Sequence, residues 1–265
     1  MHVSTFDRYQ TGESLIHRLD ARVKVVVTVL FILSNVLLPD GAWLAFLLGW
    51  AMILAVNLLA GLKWNYALKR SFIALPFALA AITSIFAISG QSVFTLNLGS
   101  WHFTATEAGL IRFASIVVRS WLSVQMAILL TATTQFSDLM HALRHLRVPQ
   151  LLVAVISFMY RYLFVLADEA MRLMRAREAR SARPAGARGG SGGTLFWRAK
   201  VAGYMVGQLF LRSYERSDRV YNAMLARGYQ GHFFTLNPHA MQPGDWLMAG
   251  IAAAALLLQQ LVGRL

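Results

Sequence analysis

The residues whose types and spacing could do chemistry in this chain are arginines. Ala179-Arg180-Ser181 and Ala226-Arg227-Gly228 lie 47 residues apart, and the same shift also aligns Arg172 with Arg219, Leu173 with Val220 and Ala176 with Ala223. Each tripeptide closes a stretch rich in helix formers. A small residue before the arginine keeps a helix tip slim, and a small residue after it ends the helix. The guanidinium then projects where it can form a bidentate pair with a carboxylate in a partner's groove. The same residues also suit a helix C-terminus by its dipole alone, and an Arg-rich inner loop would supply them without a partner. Arg112 and Arg119 form a second pair, seven residues apart and therefore on one helix face, with ~10 Å between them along the axis. Charges at membrane depth are costly and normally paired. Arg112 is placed to snorkel outward, while the deeper Arg119 is expected to face protein, in a structural or subunit-contact role rather than a substrate pathway.

Other chemistries fail on spacing. No G-x-x-x-x-G-K-[ST] occurs, so an ATP-driven process would need ATP and its magnesium held in a separate subunit. Gly189-Gly190-Ser191-Gly192-Gly193 satisfies G-x-S-x-G in form, but it sits in a glycine linker with no strand before it and no triad partners. His141 and His145 are four residues apart and could share a helix face, yet no Glu intervenes and no third ligand follows, and His2 beside the N-terminal amine is equally weak. No metal site, no directly bound cofactor and no catalytic residue is expected. The absence of cysteine removes disulfides, thiolate ligands and a cysteine nucleophile.

The elements that must position these arginines follow from composition. Of 265 residues, 57% are hydrophobic and 14% charged, and the mean hydropathy is +0.52, against about 25% charged in soluble domains. The charges gather in blocks that leave long stretches bare, which defines an all-α integral membrane protein. The net charge of +13 then reflects basic loops at the inner membrane face, not nucleic acid. Apolar runs predict spans at 23–38, with Lys24 close enough to the end to snorkel, at 41–61, at 71–90, kinked at Pro76, and at 106–134, all in an N-terminal bundle 1–134. A last span, within 242–265, carries alanines 252–255 suited to close packing. Between the third and fourth spans, 93–104 alternates and turns at Gly99-Ser100, the pattern of a short exposed hairpin.

Lys and Arg distribution sets the orientation. The N-terminal segment, the 62–70 loop and the 135–148 loop are basic, whereas the Pro39 turn and the hairpin hold no Lys or Arg. The N-terminus is therefore expected in the cytoplasm, the hairpin and the C-terminus outside. Apolar 151–167 decides the count: if it crossed, residues 161–230, with thirteen of the 25 basic residues, would lie outside. It is read as a helix along or dipping into the inner face, which leaves about five transmembrane helices. A basic helix 168–181, a flexible Gly/Ser linker 184–194 and a second helix of about 195–226 complete a cytoplasmic region 135–241, with Glu215 and Arg219 spaced as an i,i+4 pair.

The second arginine motif sits inside Arg212-Ser213-Tyr214-Glu215-Arg216-Ser217-Asp218-Arg219-Val220-Tyr221-Asn222-Ala223-Met224-Leu225-Ala226-Arg227-Gly228-Tyr229. Paired motifs of this kind, with Leu19-Asp20-Ala21-Arg22-Val23-Lys24 at the start and Ala142-Leu143-Arg144-His145-Leu146-Arg147-Val148-Pro149 in the middle, closely resemble the transmembrane T component of energy-coupling factor transporters. The similarity is greatest to the cobalt/nickel, CbiQ-like subgroup and runs to the last span. It implies a noncatalytic scaffold in a prokaryotic inner or plasma membrane, with coupling helices on its inner face. The two arginine motifs would dock into two ATP-binding-cassette ATPase subunits and link them to a separate substrate-binding membrane subunit. Ser181 stands where the family has glycine. A self-contained secondary transporter would show midplane acids or repeated broken spans, and a membrane enzyme paired carboxylates or a ligand cluster; the spans hold no acid except Glu107 at an end. A scaffold serving a vitamin instead of a metal ion remains the alternative within the family. A tag inserted in 189–193 should be reached from the cytoplasm only, and labelling of that tag from outside intact cells would overturn the topology.

Overall fold

The computed structural model describes residues 9–63, 65–72, 76, 81–87, 92–98, 101–180, 194–231 and 241–265. Half of 71–90, the Gly99-Ser100 turn, Ser181, the linker through residue 193 and His2, His232 and His239 lie outside the described residues. The chain forms two compact units, residues 1–146 with 237–265, and residues 147–236. It is an all-α membrane protein carrying one β-hairpin.

The first unit is built on α2 (Ala21–Leu37), α3 (Trp43–Leu59), α6 (Glu107–Thr133) and α10 (Pro243–Arg264), with α1 (Leu15–Arg18), α4 (Asn65–Ser71), α5 (Thr83–Ala87) and α7 (Phe136–His145) around them. The expected spans 23–38, 41–61, 106–134 and 242–265 correspond to the four main helices, while within 71–90 the described residues give only the end of α4 and all of α5. Strands β1 (Ser92–Leu98) and β2 (Trp101–Thr106) pair antiparallel with Leu98 opposite Trp101. Helix starts are capped from within: Asp20 accepts from the Arg22 N–H (2.8 Å) and Thr106 from the Gly109 N–H (3.2 Å). α10 opens with Pro243 at its first turn and a reciprocal Gln242/Asp245 capping box. Between α2 and α3 the chain reverses at Pro39-Asp40-Gly41, where Gly41 adopts φ 84°, a conformation that favours glycine.

Contacts between ends fix the helix directions. Asp20 meets Asp245 at one end and Ser34 meets Gln260 at the other, so α2 and α10 run parallel. Gln259 Nε2 donates to the Ala45 carbonyl (3.3 Å), so α3 starts against the far end of α10. Thr133 lies beside Lys24 and Arg119 beside Leu38, which makes α6 antiparallel to α2. Phe31, Phe46, Ile53, Leu122, Met126, Leu129 and Leu256 fill the space between. The outer surface is apolar as well: Leu37, Leu47, Leu58, Leu257 and Leu261 are all exposed, which suits hydrocarbon and not water. α6, α10 and α8 (Gln150–Arg180) are the described helices of sufficient length and apolarity to cross a membrane, and α3 is shorter but apolar.

The second unit consists of α8 and α9 (Leu195–Ala226). α8 is a single 31-residue helix, not an apolar helix 151–167 followed by a basic one. No Gly or Pro lies between Gln150 and Arg180, so the change from apolar to basic side chains does not interrupt the backbone. α7, by contrast, packs on α2 in the first unit, with Met140 and Ala142 buried.

Close helix approach depends on Gly263. A Cβ there would run into Leu38 Cδ2 and lie 3.3 Å from Ala45 Cβ, whereas a Cβ at Gly250 on the same helix would meet nothing within 4 Å. Gly263→Val should therefore destabilise the detergent-solubilised protein by about 1–3 kcal/mol, lowering its thermal unfolding midpoint. Gly250→Val should leave the midpoint unchanged, and equal midpoints for the two variants would show that the close approach is not needed.

Candidate functional site

The second arginine motif is built by the end of α9. Ala226 is its last helical residue, Arg227 the C-cap at φ −90° and ψ 9°, and Gly228 follows at φ 79°. The Gly228 N–H donates to the Leu225 carbonyl (3.0 Å) and the Tyr229 N–H to that of Met224 (3.0 Å). These two bonds make a Schellman motif, which satisfies carbonyls the helix would leave open and requires the left-handed residue that glycine supplies. Arg227 is thus presented at a sharply terminated tip, and it is exposed.

Ala179 and Arg180 close α8, both exposed, and Ser181 lies outside the described residues. Neither Arg180 nor Arg227 has an acidic partner within 4.0 Å among the described residues. Among the described residues no carboxylate competes for either guanidinium, and both stand at the negative end of a helix dipole.

What relates the two helices is Glu169. Its carboxylate accepts from Arg212 of α9 at 2.5 Å and lies 3.5 Å from Arg172, with only 17% of the side chain exposed. An acid drawn this far out of solvent needs its charge matched, and two guanidiniums supply that. Sequence reasoning missed this residue, because Arg212 is 43 positions away and no local spacing signals the pair. The i,i+4 pair of Glu215 and Arg219 does not form an ion pair within 4.0 Å.

In the first unit, Arg119 Nη2 donates to the Leu38 carbonyl (2.6 Å) and to Asp40 Oδ1 (2.8 Å), closing the end of α2. Its guanidinium also lies over the Phe46 ring of α3, 5.8 Å from the centroid, so its described contacts are within this chain. Arg112 reaches Asp40 only at 4.0 Å, with 56% of its side chain exposed. Lys24 does not snorkel: it is buried, and its Nζ donates to the carbonyls of Thr133 (3.0 Å) and His17 (3.2 Å). His141 and His145 have ring centroids 4.5 Å apart, and His141 Nε2 accepts from Arg22 Nη2 (3.2 Å). A second feature that went unseen is the junction at Asp20, whose N–H donates to Asp245 Oδ1 (3.0 Å). Asp20 does lie in the segment 19–24 that carried the family resemblance, which was the available signal.

The apolar bundle and the two arginine-ended helices belong to one membrane chain, and its similarity to known proteins makes that chain a T-type membrane subunit of a transporter. Residues 12–238 match the family CbiQ, described as cobalt transport protein, and the chain belongs to that family. It is 31% identical over 261 residues to the energy-coupling factor transporter transmembrane protein EcfT of Lacticaseibacillus paracasei, with 92% of each chain covered. It is also 28% identical over 260 residues to an uncharacterized protein of Methanocaldococcus jannaschii, covering 96% of this chain and 85% of the relative. A putative fused cobalt transport protein, CbiMQ, of Methanocorpusculum labreanum is 24% identical over 256 residues, covering 89% of this chain and 41% of that one.

The geometry at Gly228 yields a local test. Gly228→Ala forces a side chain into the left-handed region at a cost of about 1–2 kcal/mol, so the amides of residues 228 and 229 should exchange hydrogen faster while α9 upstream keeps its protection. Gly228→Asn should lose less. Unchanged exchange in Gly228→Ala would mean that the Schellman bonds do not hold this tip.

Proposed function

We propose that this chain is the noncatalytic scaffold of an energy-coupling factor importer, joining ATP-binding-cassette ATPase subunits to a separate substrate-binding membrane subunit. The observation that carries this reading is the pair of exposed arginines, Arg180 and Arg227, each ending a long helix of the unit pinned at Glu169. Ala179, Arg180 and Ser181 dock into one ATPase, and Ala226, Arg227 and Gly228 into the other. ATP and magnesium stay in those partners. The bundle sits in a prokaryotic plasma membrane with its N-terminus cytoplasmic and its C-terminus external, and the exposed Arg112 is offered to a neighbouring subunit.

Cobalt or nickel is the proposed cargo. The family description and the name of the fused relative support a metal ion. A vitamin is the second reading, favoured by the EcfT relative, whose name specifies no metal.

Two motifs allow attachment and coupling to be separated. A charge-assisted pair lost at one site removes ~1.5–3 kcal/mol, weakening that attachment by roughly tenfold or more. With Arg180→Ala or Arg227→Ala alone, the remaining motif should retain part of the ATPase while uptake of radioactive cobalt or nickel collapses; with both, ATPase should no longer co-purify. Normal assembly and uptake in the double variant would remove the docking role. Uptake falling only in proportion to the ATPase retained would reduce the motifs to anchors.

A further inference from the structure

A groove runs between α8 and α9, and its lining mixes two chemistries. Val155, Phe158 and Met159 of α8 and Leu209 and Phe210 of α9 give it an apolar part. Three of these side chains stand well exposed, Val155 at 54%, Met159 at 61% and Phe210 at 66%. The rest of the lining is mostly basic, with Arg172, Arg212, Arg216 and Arg219 outnumbering Glu169 and Glu215. Glu169 is held by Arg212 and Arg172. Arg216 and Arg219 have no acid within 4.0 Å among the described residues.

We propose that this groove binds an anionic phospholipid, its acyl chain along Phe158, Met159 and Phe210 and its phosphate at Arg216 and Arg219. Apolar and basic side chains line one groove, so the occupant must be apolar in one part and acidic in another. A neutral lipid would leave the guanidiniums without a counter-charge, and a soluble acidic protein would leave the apolar side chains wet. Arginine's planar donor fork matches phosphate oxygens two at a time, and basic pockets between helices at a membrane face select acidic headgroups. Lipid is also the molecule at hand, because α8 itself is long and apolar enough to cross a membrane. Tyr162 and Tyr214, which line the same groove, place amphipathic rings of the kind enriched at the headgroup boundary.

The test uses the complete transporter complex in nanodiscs of equimolar phosphatidylcholine and phosphatidylglycerol, released into detergent and weighed by native mass spectrometry. The wild type should retain phosphatidylglycerol in preference to phosphatidylcholine. Arg216→Gln combined with Arg219→Gln should lower that retention by roughly tenfold or more, whereas Lys200→Gln, on the same helix but outside the groove, should not change it. Equal retention of the two lipids by the wild type, or equal retention by the double variant and the wild type, would overturn the proposal. A maleimide reaction at Tyr214→Cys gives a second reading: slow labelling that persists in the isolated chain supports a lipid. Labelling blocked only when the substrate-binding subunit is present would assign the groove to a protein partner and overturn the proposal as well.

Discussion

A single carboxylate joins the two ends of the membrane unit. Asp245 accepts from the Asp20 N–H through one oxygen (3.0 Å) and from the Gln242 N–H through the other (2.8 Å). Both donors sit at helix starts, where backbone N–H groups lack partners of their own and hydrocarbon offers none. The bond therefore starts α2 and α10 at one level, although they are 225 residues apart. From that level the remaining contacts follow: the helices run side by side, Gln260 reaches Ser34, and Gly263 reaches Leu38 at the far end. α3 starts against the far end of α10, and Arg119 closes the turn that leads into it.

Much of this arrangement is legible in the sequence because the bilayer imposes a length. Apolar runs near twenty residues are visible as composition, and α2, α3, α6 and α10 coincide with such runs. The Pro39-Asp40-Gly41 reversal is written in residue types, with Gly41 at positive φ as that turn requires. The boundary between an apolar 151–167 and a basic 168–181 was legible too, yet it is not a structural boundary. Side-chain polarity reports the surroundings of a helix, whereas its continuity depends on backbone propensity, and α8 contains nothing to break it.

The unread part is tertiary pairing. Lys24 looked like a cation near a helix end with water in reach, and only the fold shows that the carbonyls of His17 and Thr133 replace that water. At the candidate site, the motif residues were legible because small-Arg-small at a helix end is a local pattern. Glu169 was not, because its value comes from a helix 43 residues further on. Arg219, expected to bind Glu215 by helical spacing, instead lines the groove with Arg216. Local charge rules concern exposed single helices and are worth only tenths of a kcal/mol each, too little to hold Glu215 and Arg219 together.

The register of the ion pair differs from the register of the motifs. The motifs repeat at a shift of 47 residues, but the ion pair joins positions 43 apart. Arg180 is consequently 11 residues beyond Glu169 and Arg227 15 residues beyond Arg212, about 16 Å and 22 Å along their helices. The bond that joins the two helices therefore stands nearer one tip than the other, and the longer free stretch, which ends at Arg227, is the one left with less support from its neighbour.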